Sequence, residues 1–216
     1  MSLVFMLGAC GNKNDTETTS SESTEETAGE STGENETSEN SSAETGDVQG
    51  GIGMHNIEIK IKDYGTVKLE LDGDTAPITV ANFIKLTNEG FYNGLTFHRI
   101  MDGFMVQGGD PQGNGFGGSD ETIKGEFASN GVTNNISHKK GVISMARAQD
   151  PNSASSQFFI TVADSEFLDG NYAAFGHVTE GQDILDKIAS DAKPVDNNGT
   201  IPKDAQPVIE EILVVE

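Results

Sequence analysis

Residues 97–118 read FHRIMDGFMVQGGDPQGNGFGG. One Arg and one His, Arg99 and His98, stand among Phe97, Ile100, Met101, Phe104, Met105 and Val106, and the same stretch holds seven glycines. It admits three readings: a phosphate cradle, a hydrolase site, or a site that needs neither nucleophile nor cofactor. Gly113-Asn114-Gly115-Phe116-Gly117-Gly118 does satisfy G-x-G-x-x-G. The dinucleotide motif also requires a helix opening at the glycines and an acidic residue about twenty positions on, inside a parallel βαβ unit. Residues 119–127, SDETIKGEF, carry no helical stripe, and no Gly-Lys-Ser/Thr occurs in the chain. Nucleotide binding is therefore not expected, and the glycines read as a loop.

The hydrolase reading also fails on pattern. There is no Gly-x-Ser-x-Gly elbow, and the single cysteine, Cys10, lies far from the stretch. Ser137 and His138 are neighbours in sequence, which does not orient a base on a nucleophile. His55, His98, His138 and His177 are scattered without paired-ligand spacing. Asp196-Asn197-Asn198-Gly199 lacks the remaining ligands of a calcium loop and reads as a turn. No metal and no cofactor are expected.

Outward from this stretch the chain alternates. Ile57, Ile59 and Ile61, then Val67, Leu69 and Leu71, recur with period two on either side of a turn at Gly65, the pattern of a hairpin. Next comes a helix of about twelve residues. Asp74 or Thr75 can cap it, Pro77 fits its first turn, and Gly90 fits its stop. Its apolar stripe is Ile78, Ala81, Phe83, Ile84 and Leu86. Short strand-like runs follow at residues 95–101, 104–109, 141–148, 156–163 and 172–180. A second helix at 181–191 places Ile184, Leu185 and Ile188 on one face, and a last strand spans 207–216. Many short strands with two helices predict a mainly β fold, a closed antiparallel β-barrel capped by the two helices.

The first fifty residues differ in kind. Residues 11–50 contain eleven Asp/Glu and one Lys, so they carry −10 of the chain's formal −22. With almost no apolar side chains they cannot bury enough surface to offset the entropy of ordering, and disorder is expected. As a flexible coil, forty residues reach about 35 Å. The acidic surplus argues against binding nucleic acid or anionic membrane through charge, since both need Lys/Arg patches. The organisation expected is a short leader at 1–10, an acidic linker at 11–53 and one domain at 54–216.

Leu7-Gly8-Ala9-Cys10 follows a short apolar run and resembles a bacterial lipobox, in which the leader is cut before Cys and the thiol carries diacylglycerol. The expectation is an exported protein, lipid-anchored to the bacterial cell membrane through Cys10, with the acidic linker as its tether. Only nine residues precede the Cys and none is basic, so the leader reads as truncated. A chance cysteine and a cytosolic protein with a solubilising tail are the alternatives.

Three segments in order, FHRIMDGFMVQGGDPQGNGFGG, GVISMARAQDPNSASSQFFIT and FLDGNYAAFGHVTEG, resemble the signature segments of cyclophilin-type peptidyl-prolyl cis-trans isomerases. The resemblance covers about Met54 to Glu216. It implies an eight-stranded barrel with its active site on an outer face, no cofactor, and proline-containing polypeptides as substrates. Carried over by position, Arg99 is the catalytic residue, with His98 beside it. Phe104, Met105, Phe159 and Leu168 form the proline pocket. Gln107 and Gln157 hold Arg99 and the peptide, the backbone around Ala146 and Arg147 grips the substrate chain, and Phe167 and Tyr172 complete the rim. Without the resemblance, Arg99 would pair with a surface carboxylate, and Phe104, Met105 and Phe159 would be core. Phe158, out of phase by one, is expected in the core in either case.

The residue types suit the reaction, because rotation about X–Pro breaks no bond and needs only a charge aimed at the prolyl nitrogen. Phe167 stands where well-known eukaryotic members carry Trp, and Tyr172 where they carry His; weakened cyclosporin binding is the expectation. A non-catalytic module that grips proline segments is the rival reading. Nothing in the sequence signals an oligomer, and a monomer is expected.

Overall fold

The period-two residues form the hairpin they predict. In the computed structural model, which describes residues 48–215, β1 (Met54–Ile61) pairs antiparallel with β2 (Gly65–Asp72). Ile57, Ile59, Ile61, Val67, Leu69 and Leu71 are all buried. The turn holds two residues at positive φ, Gly65 at 127° and Asp63 at 65°, the latter a side chain that tolerates this region better than most. Cys10 and residues 11–47 of the acidic linker lie outside the described residues. Gly51 is packed so closely on the first helix that a Cβ there would sit 2.2 Å from the Pro77 carbonyl oxygen.

Helix α1 (Pro77–Asn88) has the expected length and Pro77 in its first turn, but not the expected cap. Neither Asp74 nor Thr75 caps it. The Glu126 carboxylate accepts the Ile78 N–H at 3.0 Å and the Thr79 N–H at 2.8 Å, so two of the orphan donors of the first turn are satisfied from a distant loop. The buried face is Thr79, Val80, Phe83, Leu86 and Thr87; Ile78, Ala81 and Ile84 are only partly covered. Gly90, φ 69°, ends the helix with its N–H on the Thr87 carbonyl.

Six further strands follow: β3 (Arg99–Met101), β4 (Met105–Gly108), β5 (Val142–Met145), β6 (Phe158–Thr161), β7 (Ala174–Glu180) and β8 (Ile209–Val215). Helix α2 (Gln182–Asp191) buries Leu185, Ile188 and Ala189 and leaves Ile184 partly covered. The eight strands form one antiparallel sheet in the order β3-β4-β6-β5-β7-β2-β1-β8.

The closed barrel expected from the sequence is corrected here: the ladder is open, with β3 and β8 as its two ends. The chain around β3 meets the chain before β8 only through isolated pairs, Thr96 with Val208 and Arg99 with Thr200. Scattered backbone bonds accompany them, such as Phe97 N–H to Pro207 O at 3.0 Å and Ile201 N–H to His98 O at 2.9 Å. Pro202 and Pro207 in this stretch have no N–H to give, and a continuous ladder cannot run through them.

The interior is filled by the hairpin's aliphatic face and an aromatic group. Phe83 stacks on Tyr92 at 5.0 Å between centroids, and Phe158 meets both edge-on. Phe158 is fully buried, as its phase predicts.

Candidate active site

Strand alternation places a second, smaller apolar cluster on the opposite face of the sheet from this core. In β4, Val106 points inward, so Met105 and Gln107 point outward; in β6, Phe158 and Ile160 point inward, so Phe159 points outward. Met105, Phe159 and Leu168 are buried there, with Met101, Phe104, Ala146 and Tyr172 packed around them. Leu168 and Phe167 come from a 3-10 turn, Glu166–Leu168. The cluster floors a cavity of about 530 Å³.

Register brings polar groups to its wall. Arg99 lies opposite Gln107 across β3 and β4, and Gln107 opposite Phe159 across β4 and β6. Arg99 donates from Nη1 to Gln107 Oε1 at 3.0 Å, from Nε to the Asn198 carbonyl at 2.7 Å, and from Nη2 to Met101 Sδ at 3.4 Å. Gln107 Nε2 in turn donates to Gln157 Oε1 at 2.9 Å, and Gln157 Nε2 to the carbonyls of Gly117 at 2.7 Å and Gly115 at 3.2 Å. A single chain of hydrogen bonds thus runs from the guanidinium to the glycine loop. Among the described residues no carboxylate lies within ion-pair distance of Arg99. Three of its five N–H donors are used, and two are left for whatever enters the cavity. Partial burial lowers its pKa, against the pull of Tyr172 and Asp196, yet a guanidinium remains charged.

The glycine loop cannot hold phosphate. The N–H groups that would cradle it are taken by the Asp110 carboxylate, which accepts from Gln112 at 2.7 Å, Asn114 at 2.9 Å and Gly115 at 2.6 Å. Burial pushes this carboxyl up, but the ring of backbone donors outweighs it and holds the pKa below the usual range. Gly117 allows the close approach, since a Cβ there would lie 2.1 Å from Asp110 Oδ1.

A Ser–His–Asp array exists, though the sequence pattern gave no elbow for one. His138 Nδ1 lies 2.8 Å from Asp169 Oδ1 and Nε2 lies 3.0 Å from Ser144 Oγ. Asp169 only accepts, so the ring carries its proton on Nδ1 and the Ser144 hydroxyl donates to Nε2. Ser144 and His138 are fully buried, and His138 stacks behind Phe159 at 6.1 Å. No substrate reaches that hydroxyl, so the array is a brace for the cavity floor.

Of the residues expected from the sequence, Arg99, His98, Phe104, Met105, Gln107, Ala146, Arg147, Phe159, Phe167, Leu168 and Tyr172 all line the one cavity. Gln157 lines an adjoining cavity of about 370 Å³. Cys10 is outside the described residues. His98 is 3 % exposed and neither ring nitrogen has a hydrogen-bond partner, so it lines the cavity with unspent polar atoms. Burial lowers its pKa, Asp110 opposing and Arg99 adding to the effect. Asn114, Gly115, Phe116, Asn198 and Thr200 also line the cavity and were not expected. The turn at Asp196 turns out to serve Arg99: the Asp196 carboxylate accepts the N–H groups of Asn198 and Thr200, which presents the Asn198 carbonyl to Nε.

Comparison with known proteins agrees with this geometry. Residues 56–214 match the family model for cyclophilin-type peptidyl-prolyl cis-trans isomerases. A peptidyl-prolyl cis-trans isomerase of Helicobacter pylori is 48 % identical over 126 residues, 57 % of this chain and 74 % of that protein. Peptidyl-prolyl cis-trans isomerase B of Bacillus subtilis is 44 % identical over 130 residues, 60 % of this chain and 87 % of that protein. Among solved structures, a Cryptosporidium parvum cyclophilin-type isomerase superposes with a TM-score of 0.67 at 29 % identity, covering 76 % of this chain and 99 % of its own. The same protein solved in the presence of the dipeptide Ala-Pro gives 0.65 at 30 % identity, with 74 % and 99 % covered. With the signature segments, the outward apolar cluster and the anchored Arg99 all in register, this chain belongs to the cyclophilin-type peptidyl-prolyl cis-trans isomerase family and is an enzyme of that class.

Proposed function

We propose that this isomerase accelerates X–Pro rotation by aiming the Arg99 guanidinium at the prolyl nitrogen, the proline ring being held on Phe104, Met105, Phe159 and Leu168. Amide resonance sets a barrier of about 18–20 kcal/mol, and uncatalysed exchange takes tens to hundreds of seconds. In the twisted transition state the nitrogen turns pyramidal and regains its lone pair. A donor aimed at that lone pair stabilises the twisted state and barely touches the planar ground state, and only such differential binding speeds the step. The apolar floor excludes water that would screen the charge. A barrier lowered by about 6–7 kcal/mol gives a rate gain near 10⁵.

The observation that carries this reading is Arg99 itself: pinned by three neutral partners, free of any carboxylate among the described residues, with two donors to spare over an apolar pocket. The relative solved with Ala-Pro supports a proline peptide as the occupant. The test is NMR exchange on an Ala-Pro peptide with the parent and Arg99→Ala. A loss of 10²-fold or more assigns at least about 2.7 kcal/mol of transition-state stabilisation to the side chain. A variant as fast as the parent removes Arg99 from the mechanism, and a parent that binds peptide without speeding exchange reduces the domain to a binding module.

The clients are exported polypeptides, and the enzyme works on the outer face of the bacterial membrane, held there by lipid on Cys10. What supports this is the apolar run ending Leu7-Gly8-Ala9-Cys10 and the acidic, apolar-poor residues after it, a composition suited to a solvated tether. Two acyl chains give stable anchoring where one binds marginally. Intact mass of the protein from its native cells decides the matter: an unmodified Cys10 rules the anchor out.

A further inference from the structure

The chain has eleven lysines but only two arginines, Arg99 and Arg147, and both line the same cavity. Arg147 also lines the adjoining one, a place from which its charge would face a bound chain. Its contacts say otherwise. Nε and Nη2 both donate to the Asn171 carbonyl, at 3.0 and 2.9 Å, and Nη1 donates to the carbonyls of Ala148 at 2.9 Å and Gln149 at 3.2 Å. The guanidinium carbon lies 4.8 Å from the Tyr172 ring centroid and 5.1 Å from that of Phe127. Among the described residues no carboxylate pairs with it. Four of its five donors are spent on backbone, and its carbon lies over two aromatic rings.

We infer that Arg147 is a positioning residue, a latch that joins the segment 146–149 to Asn171 and Tyr172 and so holds two parts of the peptide groove in binding geometry. Tyr172 passes the constraint on, since its ring meets Phe159 edge-on at 5.9 Å and Phe159 is the floor of the prolyl pocket. The planar fork is what lets one side chain reach three carbonyls with its charge over aromatic rings; an ammonium lacks that fork. Preorganising the groove lowers the cost of ordering it on binding, and this appears in substrate affinity rather than in the chemical step. The inference rests on the cavity being the prolyl site.

The experiment compares the full chain with Arg147→Lys, Arg147→Ala and, as the control for the site itself, Arg99→Ala. Peptides with Glu, Ala or Lys before Pro are titrated by NMR for Kd, and exchange is measured at saturation, below the melting temperature of every variant. A latch predicts that Arg147→Ala raises Kd about ten-fold for all three peptides alike, with a far smaller change in the saturated rate. Arg147→Lys, which keeps the charge and stays closer to the parent fold, recovers only a minor part of that loss. A loss confined to the Glu-Pro peptide overturns the latch and makes Arg147 a client-facing cation. Unchanged Kd values, or full rescue by Lys, overturn it too. Arg99→Ala at the parent's rate refutes the site assignment instead, so the two failures are told apart.

Discussion

Phe167 is 71 % exposed, and its ring tilts over Phe104 at 5.5 Å, making an apolar lip on the cavity proposed to take proline, without a side-chain polar atom to offer. The tryptophan that well-known eukaryotic cyclophilins carry here supplies an indole N–H to cyclosporin. The loss of one such partner commonly costs about 1–3 kcal/mol. Weak cyclosporin binding is therefore proposed for this enzyme, and Phe167→Trp is expected to tighten inhibition by about ten-fold or more. The readout is the cyclosporin concentration that halves the exchange rate; equal values for parent and variant would place the weakness elsewhere on the rim. Asp110 shows the opposite kind of residue-scale effect. It is not among the residues lining the cavity, yet its carboxylate gathers the N–H groups of Gln112, Asn114 and Gly115 and so shapes the loop that Gln157 grips.

At the scale of elements, what the sequence reveals is local and what it hides is register across distance. The hairpin at Ile57–Leu71 and the length of α1 follow from period two and from Pro77 and Gly90, because those signals act within a few residues. The cap of α1 does not, since the Glu126 carboxylate arrives from 47 to 48 residues along the chain. The open seam between β3 and β8 escaped the barrel expectation because the strand runs carry no sign of how two distant edges meet, although Pro202 and Pro207 marked where pairing would fail. The site divides in the same way. Arg99, Gln107 and the pocket aromatics lie in signature segments, and the resemblance named them. Asn198 looked like a bare turn, and only the fold brings its carbonyl to Arg99. Phe116, 91 % exposed between two glycines, carried no signal beyond that of loop composition.

For the whole molecule, two imidazoles and two carboxyls beside or behind the cavity are held below their ordinary pKa values. Burial holds the imidazoles of His98 and His138 below their ordinary pKa; Asp110 opposes this for His98, Arg99 adds to it, and Asp169 opposes it for His138. The Asp110 and Asp169 carboxyls, which burial alone would raise, are held low by hydrogen bonds, those of Asp169 from the His138 N–H, the Ser137 hydroxyl and the His138 ring. A histidine depressed in the fold binds its proton first in the unfolded chain, so its contribution is intact above about pH 6.5 and is lost as the pH falls below it. A depressed aspartate contributes above about pH 4 and loses that contribution as the pH falls through its folded value. Stability should then decline in two acid stages, histidines first. Each histidine costs at most about 1.4 kcal/mol per pH unit, and at about 2–4 °C per kcal/mol for a domain this size the pair lowers Tm by up to about 10 °C per unit. Relief of the acidic surplus acts in the other direction but is screened by salt, whereas the buried His98 and His138 are screened far less. Thermal melts from pH 8 to 4 in 0.5 M salt isolate the buried groups, and a Tm that stays level from pH 7 to 5 would mean that His98 and His138 take up protons without loss to the fold.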